Sequence, residues 1–385
     1  MNRFHSLDIF RGTTVALMIL VNNPGSWSFV YPPLEHAKWH GCTPTDLVFP
    51  FFLFAVGNAM AFVFKRREDG SNTIPASEFW RKVSKRFILI FLIGLILNWF
   101  PFVKWDSDGQ LVIKPLENLR IMGVLPRIAL AYFFASIIIY FFKAKGAFVA
   151  GAILLLFYWW LCYAAGDPSD PFSMQGYFGT AIDKAILGES HMYHGEGIAF
   201  DPEGIMSTIP AIVQVIFGYL AGDYIITKGK NTEMLSNFLV TAILLIGTAL
   251  IWDMRFPINK KIWTSSYVLY TTGLAMAVLG VLIHWIELKG LRSWWTRFFD
   301  VFGKNPLFIY VLSGVWIKIY FLMRIPDGVI DGKPTFINGY DWLFKHVFQP
   351  SLGNYGGSLA FAISHVFVFW LIGRILDRKK IYIRV

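Results

Sequence analysis

The chain contains few charged residues for its length. Asp, Glu, Lys and Arg make up 16% of the 385 residues, whereas 55% are hydrophobic and 18% are aromatic. The mean hydropathy is +0.51. Soluble domains carry about 25% charged residues, so this composition excludes an ordinary soluble protein and indicates a polytopic membrane protein.

Cysteine is also scarce. Cys42 and Cys162 are the two cysteines, and they lack the spacing of a metal site. Both lie near the predicted outer surface, so a single disulfide is the alternative to two free thiols. A free thiol is an unusual nucleophile in an oxidising compartment. The histidines of the segment 191–196 have no third ligand nearby, so we predict no metal and no catalytic cysteine.

Short tandem repeats and low-complexity tracts are absent from the sequence. The two halves also show no matched broken helices of the kind that mark inverted repeats in transporters. We therefore predict one transmembrane domain over residues 1–385, with a larger outer loop at about 166–204.

Apolar runs long enough to cross a hydrocarbon core of about 30 Å recur along the whole chain. Backbone polar groups within a membrane are best satisfied in helices, so the sequence predicts an all-α bundle of about ten transmembrane helices. The predicted spans are 8–25, 46–64, 87–103, 121–142, 147–165, 204–226, 235–252, 264–285, 301–323 and 357–376.

Lysine and arginine mark the predicted inner face. They are concentrated in the connection 65–86 and in the tail 374–384, which the positive-inside rule places in the cytoplasm. The loop 166–204 has seven acidic residues and one lysine, so it is expected outside. With ten spans, both termini are cytoplasmic. Anionic lipid headgroups suffice to explain the net charge of +10, so we predict lipid partners and no nucleic acid.

The segment LEHAKWHGCTPTDLVFPFFLFAVG, residues 34–57, places proton-handling groups directly before an apolar helix. His36 is able to take up and return a proton near neutral pH, and Asp46 would orient it. Two other interpretations stay open. The stretch from Thr43 to Asp46 resembles a capping box, and His36 would suit a membrane interface.

Polar residues near the ends of other spans extend this inventory. Asn22 would hold a substrate carbonyl or an oxyanion, or else cap the first helix. Arg127 lies inside the fourth span, where a charge favours a functional cavity. Lys304 and Asn305 lie near the cytoplasmic start of the ninth span, where a helix N-terminus suits a phosphate, although Lys304 would equally reach lipid phosphates.

Two outer segments carry groups that suit a sugar. FDPEGIMSTIPA, residues 200–211, includes Glu203, and FPINKKIWTSSYVL, residues 256–269, includes Lys260, Trp263 and Ser265. Carboxylates and hydroxyls bind sugar hydroxyl groups, and an indole packs on the apolar face of the ring. Helix capping is the alternative for each segment.

Taken together, these motifs resemble a known family. SLDIFRG, ILVNNPG, the EHAKW segment, GVLPRIALAY, DPEGIMSTIPA, NKKIWTSSYVL and FGKNPLFIY occur in this order over nearly the whole chain. The chain is identified by them as similar to the heparan-alpha-glucosaminide N-acetyltransferase family of transmembrane acyltransferases, which has many bacterial relatives.

The resemblance implies an activity and its residues. Members transfer acetyl from cytosolic acetyl-CoA to the amino group of a terminal glucosamine across the membrane, using an outer-loop histidine. By position in the motifs, that residue corresponds to His36, and the family's asparagine and aspartate correspond to Asn22 and Asp46. The acceptor here would be a periplasmic or imported amino sugar, a glycan fragment or an envelope glycolipid.

A mechanism follows from the resemblance. Arg11, Arg127, Lys304 and Asn305 would hold the nucleotide end of CoA, while the pantetheine arm carries the thioester outward. His36 would accept the acetyl group itself or act as a general base, and both routes stay open. Glu203, Lys260, Trp263 and Ser265 would hold the sugar.

The resemblance also implies a homodimer in the inner membrane of a bacterium. The alternative from another functional class is a secondary transporter or flippase of a sugar or lipid-linked substrate. Buried charges and a polar cavity serve transport equally well, but a transporter would not consume acetyl-CoA.

Overall fold

The computed structural model describes residues 4–68, 75–330 and 333–383. Its elements are mainly helical, and the strands form two short antiparallel hairpins. The helices in the described ranges are α1 (His5–Asn22), α2 (Val48–Glu68), α3 (Ala76–Trp99), α4 (Val124–Ala165), α5 (Phe178–Leu187), α6 (Thr208–Lys228), α7 (Thr232–Asp253), α8 (Ser265–Leu282), α9 (Trp294–Lys304), α10 (Pro306–Leu322), α11 (Gly339–Leu343) and α12 (Gln349–Arg378).

Six of the helices described are long and apolar enough to cross a membrane, and a bent pair of helices makes a seventh. These six comprise the segments Pro44–Phe64, Val124–Ala165, Thr208–Lys228, Thr232–Asp253, Ser265–Leu288 and Gly339–Arg378. The predicted all-α membrane bundle is confirmed, but the count of ten is not.

Three features account for the lower count. The helix α4 is 42 residues long and covers two predicted spans, 121–142 and 147–165, with a break at Lys143, where φ is 58°. The helix α1 carries Asp8 and Arg11 in its first turns, and α3 begins with a run of cationic residues. Neither α1 nor α3 therefore contains an apolar stretch of spanning length.

The ninth predicted span, 301–323, is broken into two helices. α9 ends at Lys304 and α10 begins at Pro306, and their axes differ in direction by 81°. Proline has no N–H to continue the hydrogen bonding of α9, and it is well tolerated at the first position of the next helix. The break therefore falls where the sequence FGKNPLFIY places Pro306.

The centre of the bundle is the packing of α2 against α6. Gly57 lies against the backbone carbonyl of Val215, and Gly218 lies against that of Phe54. A Cβ at either glycine would overlap the opposing carbonyl oxygen. Small residues let two helices approach this closely, as in other membrane helix pairs. This contact fixes the relative position of the segments that precede α2 and α6.

The outer end of the bundle, named from the predicted orientation, is formed by the connections 23–43, 100–123, 166–207, 254–264 and 323–338. The connection 100–123 contains β1 (Val103–Trp105) paired with β2 (Leu111–Ile113), and 323–338 contains β3 (Ile325–Ile330) paired with β4 (Lys333–Ile337). Both cysteines are free thiols, so the disulfide alternative is not realised in this structure.

Candidate active site

A cavity of about 310 Å³ lies at the outer end of the bundle. Its walls come from α1, the start of α2, the start of α4, α10 and the outer connections. The lining residues are Met18, Val21, Asn22, His36, Ala37, Trp39, Thr45, Asp46, Val48, Phe49, Phe52, Arg120, Val124, Leu125, Ile128, Tyr193, Glu196, Pro202, Glu203, Lys260, Lys261 and Tyr310. Five residues predicted for the site are among them: Asn22, His36, Asp46, Glu203 and Lys260.

His36 and Asp46 form a pair on one wall. His36 Nδ1 lies 2.7 Å from Asp46 Oδ1, and the histidine side chain is 42% exposed whereas the aspartate is 1% exposed. The backbone N–H groups of Ala37 and Thr43 each donate to Asp46 Oδ2 at 3.0 Å. The carboxylate therefore completes a capping box for the turn Pro44–Leu47 and contacts His36 at the same time.

Lys260 reaches the same pair from the connection 254–264. The Gly41 N–H donates to the carbonyl of Ile258 at 2.7 Å and brings this connection beside the loop of His36. Lys260 Nζ is 3.0 Å from His36 Nδ1 and 3.4 Å from Asp46 Oδ1. Burial lowers the pKa of the Lys260 ammonium, and the Asp46 and Glu203 carboxylates act in the opposite direction.

A second ion-pair cluster lies on another wall of the cavity. Arg120 donates from Nε to Asp201 Oδ2 at 3.0 Å, and its Nη2 contacts both Asp201 and Glu203. Its guanidinium lies 4.7 Å from the ring centre of Tyr193. Burial acts against ionisation of the Glu203 carboxyl. The positive charges of Arg120 and Arg127 nevertheless hold the pKa of Glu203 below its usual range. Glu203 is therefore an ionised acceptor at the cavity surface.

Asn22 is the last residue of α1 and its side chain is exposed in the cavity. Capping of the helix end falls to its neighbour, because Asn23 Nδ2 donates to the carbonyl of Ile19 at 2.6 Å. Within the described part of the chain, the Asn22 side chain has no hydrogen-bond partner. Its amide is therefore free to bind a ligand.

The rim and the floor of the cavity differ in polarity. At the rim, Lys261 pairs with Glu196 at 2.6 Å and lies 5.8 Å from the ring of Trp39. The floor is largely apolar and is formed by Met18, Val48, Phe49, Phe52, Val124, Leu125, Ile128 and Tyr310. A ligand with a polar end outward and an apolar arm inward fits this distribution.

Arg127, Trp263 and Ser265 are near the cavity but do not line it. Arg127 is fully buried, donates to the carbonyl of Gly204 at 3.2 Å and to the Ser207 hydroxyl, and lies 5.1 Å from the Trp263 ring. Ser265 is buried and donates to the carbonyl of Leu155 at 2.8 Å. These side chains therefore contact the helices and connections behind the cavity wall.

Arg11, Lys304 and Asn305 lie at the opposite end of the bundle. Arg11 binds Asp8 at 2.6 Å and the carbonyl of Gly303 at 2.9 Å. Lys304 pairs with Asp300 at 2.7 Å and Asp377 at 2.9 Å. Asn305 holds the backbone of the tail through Ile381 and Ile383 at 3.0 and 2.8 Å. The structure does not bring these three residues to the cavity, and their role toward CoA stays a prediction.

Sequence reasoning missed Arg120, Tyr193 and Tyr310 as site residues. The carboxylate partners of Arg120 are 81 and 83 positions away, so no local motif joins them. One signal was available, because an arginine on the outer side runs against the positive-inside rule and invites a search for its partner.

Comparisons with known proteins agree with the motif resemblance. Residues 3–100 match a family model described as a domain of unknown function, DUF5009. The chain is 28% identical to the heparan-alpha-glucosaminide N-acetyltransferase of Mus musculus over 80% of this chain and 53% of that protein. It is 29% identical to the Homo sapiens protein of the same name, again over 80% of this chain and 52% of the relative.

The chain spans about half the length of the curated relatives that it matches. The matched share of this chain nevertheless extends well beyond any single motif. The resemblance of this chain to the heparan-alpha-glucosaminide N-acetyltransferases, inferred from its motifs, is confirmed by these relatives.

Proposed function

We propose that this membrane protein is an acetyltransferase that moves acetyl from cytosolic acetyl-CoA to the amino group of a glucosamine-type sugar at the outer face. The observation that carries the proposal is the His36–Asp46 pair, 2.7 Å apart, in a cavity at the outer end. The names of the two relatives support an acetyl donor and an amino-sugar acceptor.

In the proposed reaction, His36 acts through Nε2, because Nδ1 is engaged by Asp46. The acceptor nitrogen, as the neutral amine, bonds to the acetyl carbonyl carbon and passes a proton to His36 Nε2. The carbon–sulfur bond then breaks with its electron pair on sulfur, and the thiolate takes the proton from Nε2. The products are an amide and free CoA thiol, and His36 returns to its initial state.

Other cavity residues have roles that suit their positions. The unpaired Asn22 amide would donate to the oxyanion of the tetrahedral intermediate. Glu203 would accept from sugar hydroxyl groups at the wall that it shares with Arg120. The apolar floor would receive the thioester arm. At the inner end, Lys304 would bind a CoA phosphate only by exchanging Asp300 or Asp377 for it.

The test is CoA thiol release by the purified chain in detergent, given acetyl-CoA with and without glucosamine. We expect glucosamine-dependent thiol release and an N-acetylated product, both reduced at least ~100-fold in His36→Ala because general acid–base catalysis contributes about 10²–10⁴-fold. His40→Ala is the matched control, since His40 is four positions away, exposed, and outside the cavity lining.

Three results would contradict the proposal or part of it. Equal activity of His36→Ala and His40→Ala would remove His36 from the chemistry. Thiol release without any acceptor, together with an acetylated His36 peptide, would replace the general-base step by covalent transfer. Transport of glucosamine into vesicles without thiol release would favour the transporter.

A further inference from the structure

The three side chains His36, Asp46 and Lys260 meet at one ring nitrogen. His36 Nδ1 is 2.7 Å from Asp46 Oδ1 and 3.0 Å from Lys260 Nζ. An imidazole nitrogen either donates its proton or offers its lone pair. Nδ1 therefore cannot form in-plane hydrogen bonds to the carboxylate and to the ammonium at the same time. Either Asp46 or Lys260 must therefore act on His36 by something other than a hydrogen bond to Nδ1.

The geometry favours Asp46 as the hydrogen-bond partner. Asp46 is held by backbone N–H groups of Ala37 and Thr43 and by the Thr43 hydroxyl at 3.1 Å, so its position is fixed. Lys260 Nζ, by contrast, lies at similar distances from both ring nitrogens, 3.0 Å from Nδ1 and 3.5 Å from Nε2. An atom so placed cannot lie on the lone-pair axes of both nitrogens. The Lys260 ammonium therefore acts on the His36 ring mainly through its charge.

We infer that Lys260 is a positioning residue that keeps His36 neutral, with its proton on Nδ1 and its Nε2 lone pair free. The inference rests on the proposed function, in which Nε2 takes the acceptor's proton. It differs from the sequence-based prediction, which assigned Lys260 to sugar binding.

Two electrostatic effects support this role. The ammonium is 3.4 Å from Asp46 Oδ1, so it stabilises the buried carboxylate and His36 does not have to be charged to do so. A cation beside both ring nitrogens also opposes a second positive charge on the imidazole. The other ionisable groups facing Lys260 are the Glu203 carboxylate and the Cys42 thiol, and burial raises the pKa of that thiol to about 12.

The proton balance of the reaction is unchanged by Lys260. The proton on Nδ1 stays hydrogen-bonded to Asp46 throughout. Nε2 receives one proton from the acceptor nitrogen and gives it to the departing sulfur. Lys260 neither gains nor loses a proton and acts on the imidazole through its charge.

The test compares the pH profile of kcat/KM for the acceptor in Lys260→Met, Lys260→Arg and wild type. We expect the acid limb to move to higher pH by about one unit in Lys260→Met, because removal of a neighbouring cation favours the protonated imidazole. Lys260→Arg keeps the charge and should restore the wild-type limb. Lys184→Met is the control, since Lys184 pairs with Glu189 outside the cavity.

A sugar-binding role for Lys260 would give another result. KM for the acceptor would rise, and kcat/KM would fall by the same factor at every pH. The acid limb of the profile would stay in place. That outcome would overturn the inference.

A second measurement does not depend on turnover. Diethylpyrocarbonate modifies neutral imidazoles, so its rate at His36, followed by mass spectrometry of the peptide, reports the pH at which the ring becomes neutral. We expect this midpoint to be higher in Lys260→Met than in wild type, with no change at His40 in the same digest. Identical His36 midpoints would reject the role of Lys260, whereas absent acetyl transfer with shifted midpoints would reject only the proposed function.

Discussion

At the scale of single residues, the carboxyl of Asp183 is buried although it lies outside the cavity. Its side chain on α5 is buried and accepts the backbone N–H of Ile205 at 2.9 Å. Burial raises the pKa of Asp183 to about 7, and the nearby Asp201 carboxylate acts in the same direction. The folded protein therefore binds this proton more tightly than the unfolded chain does.

This shift gives a prediction for the pH dependence of stability. The stabilising contribution of protonated Asp183 is fully present below the unfolded pKa, near 4, and is lost as pH rises through about 7. Between pH 5 and 8 the loss should be about 2–3 kcal/mol. Asp183→Asn keeps a carbonyl for Ile205, so its melting temperature should fall less over this pH range. Parallel melting curves of the two proteins would contradict the assignment.

The capping and functional interpretations of the segment 43–46 are compatible at this scale. Asp46 Oδ2 accepts the two backbone N–H groups, while Oδ1 contacts His36. Local sequence was sufficient to predict this pair because its members are ten positions apart. The Arg120 cluster was not predictable in the same way, since Arg120, Asp201 and Glu203 meet only when α4 and α6 pack together.

At the scale of elements, the contact between α2 and α6 determines the shape of the site. The turn before α2 carries Asp46, and the segment before α6 carries Glu203. Gly218 lies against the carbonyl of Phe54, so the two helices approach with no space for a side chain. The distance between the two charged walls therefore depends on this glycine.

Gly218→Ala should destabilise the protein. The added methyl group would overlap the Phe54 carbonyl and force the helices apart, at a cost of about 1–3 kcal/mol. Gly247→Ala in α7 is the matched control. A Cβ at Gly247 meets nothing within 4 Å, so the change should be neutral or stabilising by up to ~1 kcal/mol.

Melting temperature and acetyl transfer of both variants in the same detergent are the measurements. Equal melting temperatures for the two alanine variants would show that the α2–α6 contact tolerates widening.

The sequence predicted the positions of the helices and one of the two helix breaks. Apolar runs marked the helices because lipid and core both select apolar residues. The break at Lys143 inside α4 falls in the interval 143–146 between two predicted spans, where Lys143 and Lys145 interrupt the apolar run. The break before Pro306 was marked by the proline, yet the run 301–323 still reads as one apolar span.

At the scale of the whole molecule, the two ends of the bundle differ in chemistry. The outer end carries the cavity with its paired acids and bases. The inner end carries Arg11, Lys304 and Asn305 bound to Asp8, Asp300, Asp377 and the tail. The predicted inner-membrane location and cytoplasmic termini would place the first end outside and the second end in the cytoplasm.

Cysteine labelling tests this orientation. We expect a membrane-impermeant maleimide to label Ser169→Cys in intact cells and Thr227→Cys only after permeabilisation, because these exposed positions lie at opposite ends. The background should be low. Burial raises the pKa of Cys42 to about 12, and Cys162 is buried. The reverse labelling pattern would invert the predicted topology.

The apolar floor of the cavity bears on how much acetyl-CoA would be lost to hydrolysis in the proposed reaction. Met18, Phe49, Phe52 and Ile128 leave few polar groups to hold a water molecule where a thioester arm would lie. Hydrolysis would then compete poorly with aminolysis. One acetylated sugar should consequently appear for each thiol released, with little futile turnover when the acceptor is scarce.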